Sequence, residues 1–183
     1  MKIFCIGLNK TATISLHEAL QALGFRSLHW GGPTVREAVE RSLEASRPLL
    51  DDIGDYDAFS DILALSENFA ILDAQYPRSK FILNTRDLDE WLESRRRHVE
   101  RNVERRGRGQ YGGTFLTVDY PAWTSEFREH HRRVREYFAG RPDDLLVMNI
   151  ARGDGYELLC PFLDVPAPDA PFPWRHRNLA VDQ

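Results

Sequence analysis

The chain has 183 residues and a mass of 21.2 kDa, with 42% apolar residues, 28% charged residues and a net charge of −4. That length predicts one domain over 1–183, and the composition excludes disordered, collagen-like and low-complexity classes. No apolar run approaches the ~20 residues of a membrane helix, no secretory series follows Met1, and the acidic balance gives no reason to expect nucleic acid.

Ile3-Phe4-Cys5-Ile6 reads as a first strand, followed by the loop Gly7-Leu8-Asn9-Lys10-Thr11-Ala12-Thr13. Ile14, Leu16, Ala19, Leu20 and Leu23 then recur at helical spacing, and Gly24 closes that helix. Phe25 to Trp30 alternates and predicts a second strand; Gly31-Gly32-Pro33 turns into a helix carrying Val35, Ala38, Val39 and Leu43. Ala58 to Ile62 predicts a short strand. A helix from about Ser66 has Phe69, Ile71, Leu72 and Tyr76 as core candidates, and Pro77 stops it. Lys80 to Thr85 is the clearest strand, nearly continuous in apolar residues as a buried parallel strand should be. After Arg86-Asp87 a helix runs from about Leu88, ahead of a glycine-rich stretch from Gly107 to Gly113 that is expected to be mobile. Pro121 opens a helix with Trp123, Phe127, Val134, Tyr137 and Phe138 as its apolar positions. Leu145 to Ile150 is a further strand, and Asp154…Glu157 matches a capping box before Leu158, Leu159, Phe162 and Leu163. The prolines from Pro166 to Pro173 exclude regular structure there.

Strands alternate with helices throughout, which predicts an α/β domain of three layers with a mainly parallel sheet. Ligands in such sheets bind beyond the carboxyl ends of the strands, so the residues after Gly7, Asp61, Arg86 and Ile150 should meet in one crevice. Cys5 and Cys160 both sit in apolar stretches and read as reduced, buried thiols of a cytoplasmic protein.

The first loop is P-loop-like without being a Walker A motif. Where G-x-x-x-x-G-K-[ST] requires its second glycine and lysine, the chain has Ala12 and Thr13. The lysine stands instead at Lys10, with hydroxyls at Thr11, Thr13 and Ser15. Backbone amides and a helix N-terminus still suit a phosphate there. Neither ATP hydrolysis nor a metal is expected. An ordinary strand-to-helix turn with a solvated lysine is the plain alternative. Downstream, Arg86 ends a strand and Ser94 follows after seven intervening residues. A forked permanent charge and a hydroxyl suit a phosphate dianion; a helix-capping Arg86–Asp89 pair is the alternative.

Together, Lys10-Thr11-Ala12-Thr13 and Arg86…Ser94 resemble the sulfotransferases that use 3′-phosphoadenosine-5′-phosphosulfate (PAPS). The run Gly155 to Pro166, then Pro171-Phe172-Pro173…Asn178, is similar to the ending of many bacterial members. The resemblance implies that Asn9, Lys10, Thr11, Ala12, Thr13, Ile14 and Ser15 hold the 5′-phosphosulfate, and that Arg86 and Ser94 hold the 3′-phosphate. It implies PAPS as donor, a small-molecule or carbohydrate acceptor, and Lys10 stabilising the leaving phosphate. An oligomer is compatible with it. Asn9 stands for the usual proline, Ala12 for a glycine and Ile14 for a common threonine. Ala12 is expected to fit only with its backbone away from positive φ. The implied general base is Asp61, at the end of the strand before the Arg86 strand; its alternative is a cap or loop hydrogen bonder. His29 is the rival base, suited by its ordinary pKa, and otherwise a strand-end histidine bonded to backbone.

His98, His130, His131 and His176 read as surface residues, and the arginines from Arg95 to Arg108 as a solvated helix face partnered by glutamates. An anion-attracting wall or lid beside the acceptor, and an RNA-binding arm that no aromatic interleaving or RNA-binding motif supports, are the other readings of those arginines. Trp30, Trp123 and Trp174 are candidates for a pocket wall or for core. Two further functions stay open: a non-catalytic nucleotide-binding or interaction protein on the same fold, and a P-loop kinase-like phosphotransferase, disfavoured by the missing Walker lysine.

Overall fold

In the computed structural model, which describes residues 1–174, five parallel strands form one sheet in the order β2-β3-β1-β4-β5. In chain order the elements are β1 (Ile3–Cys5), α1 (Thr13–Ala22), β2 (Ser27–His29), α2 (Gly32–Glu44), β3 (Ala58–Ser60), α3 (Leu63–Glu67), α4 (Phe69–Gln75), β4 (Lys80–Asn84), α5 (Leu88–Gly107), α6 (Tyr120–Tyr137), β5 (Leu145–Met148) and α7 (Tyr156–Leu163). Every pairing is parallel, for example Phe4 opposite Phe59 on one side and Phe81 on the other. Strand order reverses at β1, which lies between β3 and β4. That reversal opens a crevice at the carboxyl edge of the sheet.

Alternation within each strand builds the three layers. Phe4, Phe59, Phe81 and Leu83 point to one face and pack with Val39 of α2, Phe69 and Leu72 of α4, Val134 of α6 and Phe138 at its end. Ile3, Cys5, Ala58 and Ile82 point to the other, against Leu16 and Leu20 of α1 and Leu159 and Leu163 of α7. The largest of these side chains are fully buried, each contributing ~1.5–3 kcal/mol relative to exposure. A third cluster joins Leu8 to Trp91 and Val99 of α5 and to Trp123 and Phe127 of α6. It ties the first loop to the two long helices.

Several expectations are corrected. The helix expected from Ser66 starts at Leu63 and divides at Asn68, whose side-chain amide donates to the Ala64 carbonyl at 2.8 Å. Asparagine competes with the helical backbone in this way. Ile71 and Tyr137 are 37% and 39% exposed, so neither is core. Tyr137 instead donates to Asp73 at 2.9 Å. The last strand stops at Met148, and Ile150–Arg152 forms a 3₁₀ turn. The capping box is half formed: Glu157 accepts from the Gly155 amide at 2.7 Å, but Asp154 accepts from Asn149 instead.

His130 and His131 are buried rather than on the surface. The Ile6 carbonyl accepts from His130 Nε2 at 2.7 Å and the Phe127 carbonyl from His131 Nδ1 at 2.7 Å. With Nδ1 donating, His131 Nε2 accepts from the Thr85 hydroxyl at 2.7 Å. Burial pushes His131 down to about 4 and lowers His130, so both stay neutral at pH 7. His98 is half-buried and lies over Phe115, whose carbonyl accepts from Asn102. His176 and Asn178 lie outside the described residues.

Candidate functional site

The loop after β1 is shaped by β4. The Gly7 amide donates to the Asn84 side chain at 3.1 Å, and a Cβ on Gly7 would come within 2.0 Å of the Asn84 carbonyl. Only glycine permits that approach. Asn84 also donates to the Thr11 hydroxyl at 2.6 Å, and Thr11 donates to the Leu8 carbonyl. From α5, Trp91 Nε1 donates to the Asn9 carbonyl at 2.7 Å. Four bonds thus hold a turn in which Lys10 (φ 66) and Ala12 (φ 63) are left-handed on either side of Thr11. Alternation of this kind turns successive amides toward one side as an anion nest.

Ala12 therefore occupies the conformation it was expected to avoid. An L-residue pays ~1–2 kcal/mol there, and the fixed bonds of Gly7, Asn9 and Thr11 leave the backbone no alternative. Thr11 is fully buried and its hydroxyl is committed within the loop. The Asn9 side chain does not line the crevice either; its Oδ1 is buried without a hydrogen-bond partner.

The remaining candidates converge. A crevice of about 1040 Å³ is lined by Lys10, Ala12, Thr13, Ile14 and Ser15 from the loop and α1, by His29 at the end of β2 and Asp61 after β3, and by Arg86 after β4 and Ser94 on α5. Ala151, Arg152 and Gly153 after β5 complete the edge, with Trp174 from the C-terminal segment. Arg86 pairs with Glu90 through Nε at 3.1 Å, not with Asp89. The terminal nitrogens of the guanidinium fork are outside that contact. Trp123 is core, and Trp30 is 60% exposed outside the crevice wall.

The basic stretch on α5 divides. Arg95 is buried, paired with Glu126 at 2.7 Å and within 5.1 Å of the rings of Trp91, Phe115 and Trp123. Arg96 takes the solvated role expected of the whole stretch, paired with Glu93 and Glu100. Arg97 and Arg101 line the crevice. Sequence reasoning took them only as part of the whole basic stretch, a solvated face or an anion-attracting wall, and did not use their helical spacing from Ser94. It did not find Arg152, which pairs with Asp87 at 2.5 Å, or the brace formed by Asn84 and Trp91.

Burial lowers the Lys10 ammonium below the ordinary lysine range; Asp61 opposes the shift, and Arg101 and Arg95 add to it. Burial pushes Asp61 up to about 6, against the pull of Lys10 and a Thr13 hydrogen bond. Asp61 is left-handed at φ 58, and its Oδ1 is buried without a hydrogen-bond partner. His29 is pushed down to about 4, first by burial and then by His17 and Lys10. Its Nε2 lies 3.1 Å from the Thr13 hydroxyl and 3.6 Å from Asp61. At pH 7 this neighbour pair is a neutral imidazole beside a carboxylate, not an ion pair. Among the described residues no group of three His, Cys, Asp or Glu side chains could hold a metal, and no helix is long and apolar enough to cross a membrane.

A nest, a half-buried lysine and an orphaned carboxylate oxygen around one crevice suit an anionic ligand that brings a reacting partner to Asp61. Comparison with known proteins agrees in kind. A family model described as "Sulfotransferase domain" matches residues 2–119 and 108–181. The chain is also similar to Ava biosynthesis cluster protein M of Aspergillus versicolor, with 26% identity over 212 aligned positions, covering 94% of this chain and 80% of that protein.

Proposed function

Since the chain belongs to the sulfotransferase domain family, we propose that it moves a sulfuryl group from PAPS to a hydroxyl or amine of a small-molecule acceptor in this crevice. One observation carries the reading: the loop of Lys10 and the pair Arg86 and Ser94 line the same crevice. Two phosphate-suited positions in one cavity fit a donor with phosphate at both its 5′ and 3′ ends. The amides between Lys10 and Ser15 hold the 5′ end, and Arg86 with Ser94 holds the 3′-phosphate. The roles of Asn9 and Thr11 are confined to the backbone and to loop shape.

PAPS supplies an activated SO₃ unit on a phosphate oxygen. Asp61 takes the acceptor's proton as the acceptor–sulfur bond forms. Lys10 stands where the sulfur–oxygen bond to the phosphate breaks and balances the charge left with that phosphate. Asp61 is favoured over His29 because a carboxylate pushed up to about 6 is a stronger base than an imidazole pushed down to about 4. His29 holds the Thr13 hydroxyl and lines the cavity. The similar protein's name, which refers to a biosynthesis cluster, supports a small-molecule acceptor. Free, buried Cys5 and Cys160 suit a reducing compartment such as the cytoplasm.

Calorimetry with 3′-phosphoadenosine 5′-phosphate against AMP tests the donor assignment. A strong preference for the bisphosphate is expected, and equal affinity overturns the 3′-phosphate site. Tight nucleotide binding with no PAPS-dependent turnover across an acceptor panel would instead leave a nucleotide-binding protein on this fold.

A further inference from the structure

The crevice face of α5 continues past Ser94. Arg97 and Arg101 follow it by three and seven residues and line the same cavity. At a helical rise of about 1.5 Å per residue, Arg101 lies about 10 Å along the axis from Ser94, on the side away from Arg86. Arg97, the other α5 arginine on this face, is already engaged with Glu93 at 3.3 Å, and Arg95, buried off this face, with Glu126 at 2.7 Å. Arg101 forms no ion pair among the described residues, although Glu100 and Glu104 are its helix neighbours. Instead it shares the crevice wall with the half-buried Lys10, whose charge it disfavours. His98 adds no charge, since burial and these same cations push it down to about 4. Asp61 balances the Lys10 charge, and the crevice carboxylates Glu90 and Glu93 are held by Arg86 and by Arg96 and Arg97. Arg101 thus keeps no ion-pair partner of its own among the described residues, and an anion beside it offsets its repulsion with Lys10.

The donor's two phosphate ends are already met by the Lys10 loop and by Arg86 with Ser94. The geometry points to an acceptor that itself carries a negative group, a carboxylate, phosphate or sulfate, recognised by Arg101 while its nucleophile approaches Asp61. This inference rests on the sulfotransferase reading above and adds the acceptor's chemical class to it.

The test uses the full chain saturated with 3′-phosphoadenosine 5′-phosphate. Two matched pairs of probes are titrated by calorimetry: 4-hydroxybenzoate with 4-hydroxybenzamide, and glucuronate with glucose. Wild type should bind the charged member of at least one pair about tenfold or more tightly than the neutral one, as a charge-assisted contact requires. Arg101→Gln should reduce that preference to less than about threefold while changing nucleotide affinity by no more than about twofold. Arg101→Lys should retain part of it. Four results overturn the inference: no binding of any probe by wild type, no charge preference, a preference that survives Arg101→Gln, or a large loss of nucleotide affinity in that variant. The last would give Arg101 to the donor. Failure of wild type to bind the nucleotide at all is a separate outcome; it removes the sulfotransferase reading and the inference with it.

Discussion

Asp61→Asn separates a catalytic carboxylate from a structural one, because the two roles predict opposite changes in stability. Burial raises the folded-state pKa of Asp61 from 3.8 to about 6, whereas the unfolded chain keeps the ordinary value. Below the unfolded value both states are protonated and the group contributes nothing. Between the two values the folded state holds a proton that the unfolded state has lost, so stability falls as pH rises. Above about 6 both are ionised and the full cost, about 3 kcal/mol, is present. Asparagine avoids that ionisation and tolerates the left-handed backbone at φ 58, though its amide needs hydrogen-bond partners. The variant should therefore be more stable than wild type at pH 7.5 by about 1–3 kcal/mol, and the difference should vanish near pH 4. Its turnover should fall by about 10²–10⁴-fold, and wild-type kcat/KM should rise with pH through about 6 as the base ionises. Urea unfolding at pH 4, 5.5 and 7.5 measures the first effect, and PAPS-dependent product formation the second. A variant less stable at pH 7.5, with a gap that does not close in acid, would refute the raised carboxyl and with it the base.

Arg86→Ala should cost the 3′-phosphate contact about 1.5–3 kcal/mol, seen by calorimetry as loss of most of the preference for the bisphosphate over AMP. Lys10→Ala should lower turnover at saturating donor far more than it lowers nucleotide affinity, because the charge it meets grows only in the transition state; a proportional loss of binding with turnover intact reduces Lys10 to a ground-state contact. His29→Gln should keep most of the turnover; if it is inactive while Asp61→Asn works, the two assignments exchange. Ala12→Gly relieves a left-handed residue at φ 63, and the entropy regained by the unfolded chain takes back about 0.4–1 kcal/mol of that. A stabilisation of up to about 1 kcal/mol should appear in urea melts, and a destabilised variant would show that the Ala12 methyl contributes packing.

What could be read in sequence was set by local periodicity. Strand runs alternating with helical stripes dictate a parallel sheet with a layer on each face, and β1, β3 and β4 each fall within their expected runs. The Lys10 loop and the Arg86…Ser94 spacing were legible for the same reason: each lies on one element junction. His130 and His131 were misread from their arginine neighbours, although they continue the stripe of Trp123, Phe127 and Val134. Helical phase was the signal there, and flanking charge was not.

Long-range approach decided the rest. Ala12 is left-handed because Asn84, 73 residues from Thr11, bonds that threonine's hydroxyl while also receiving the Gly7 amide. No local propensity carries that information. Burial raises the Asp61 carboxyl, and Arg101 acquires its meaning from lining the same crevice as Lys10, whose charge it disfavours. Which side chains are charged, and which elements present them, follow from composition and period, which are properties of short segments. Which charges meet follows from the fold, because pKa and pairing depend on distances that close when strands far apart in the chain become neighbours.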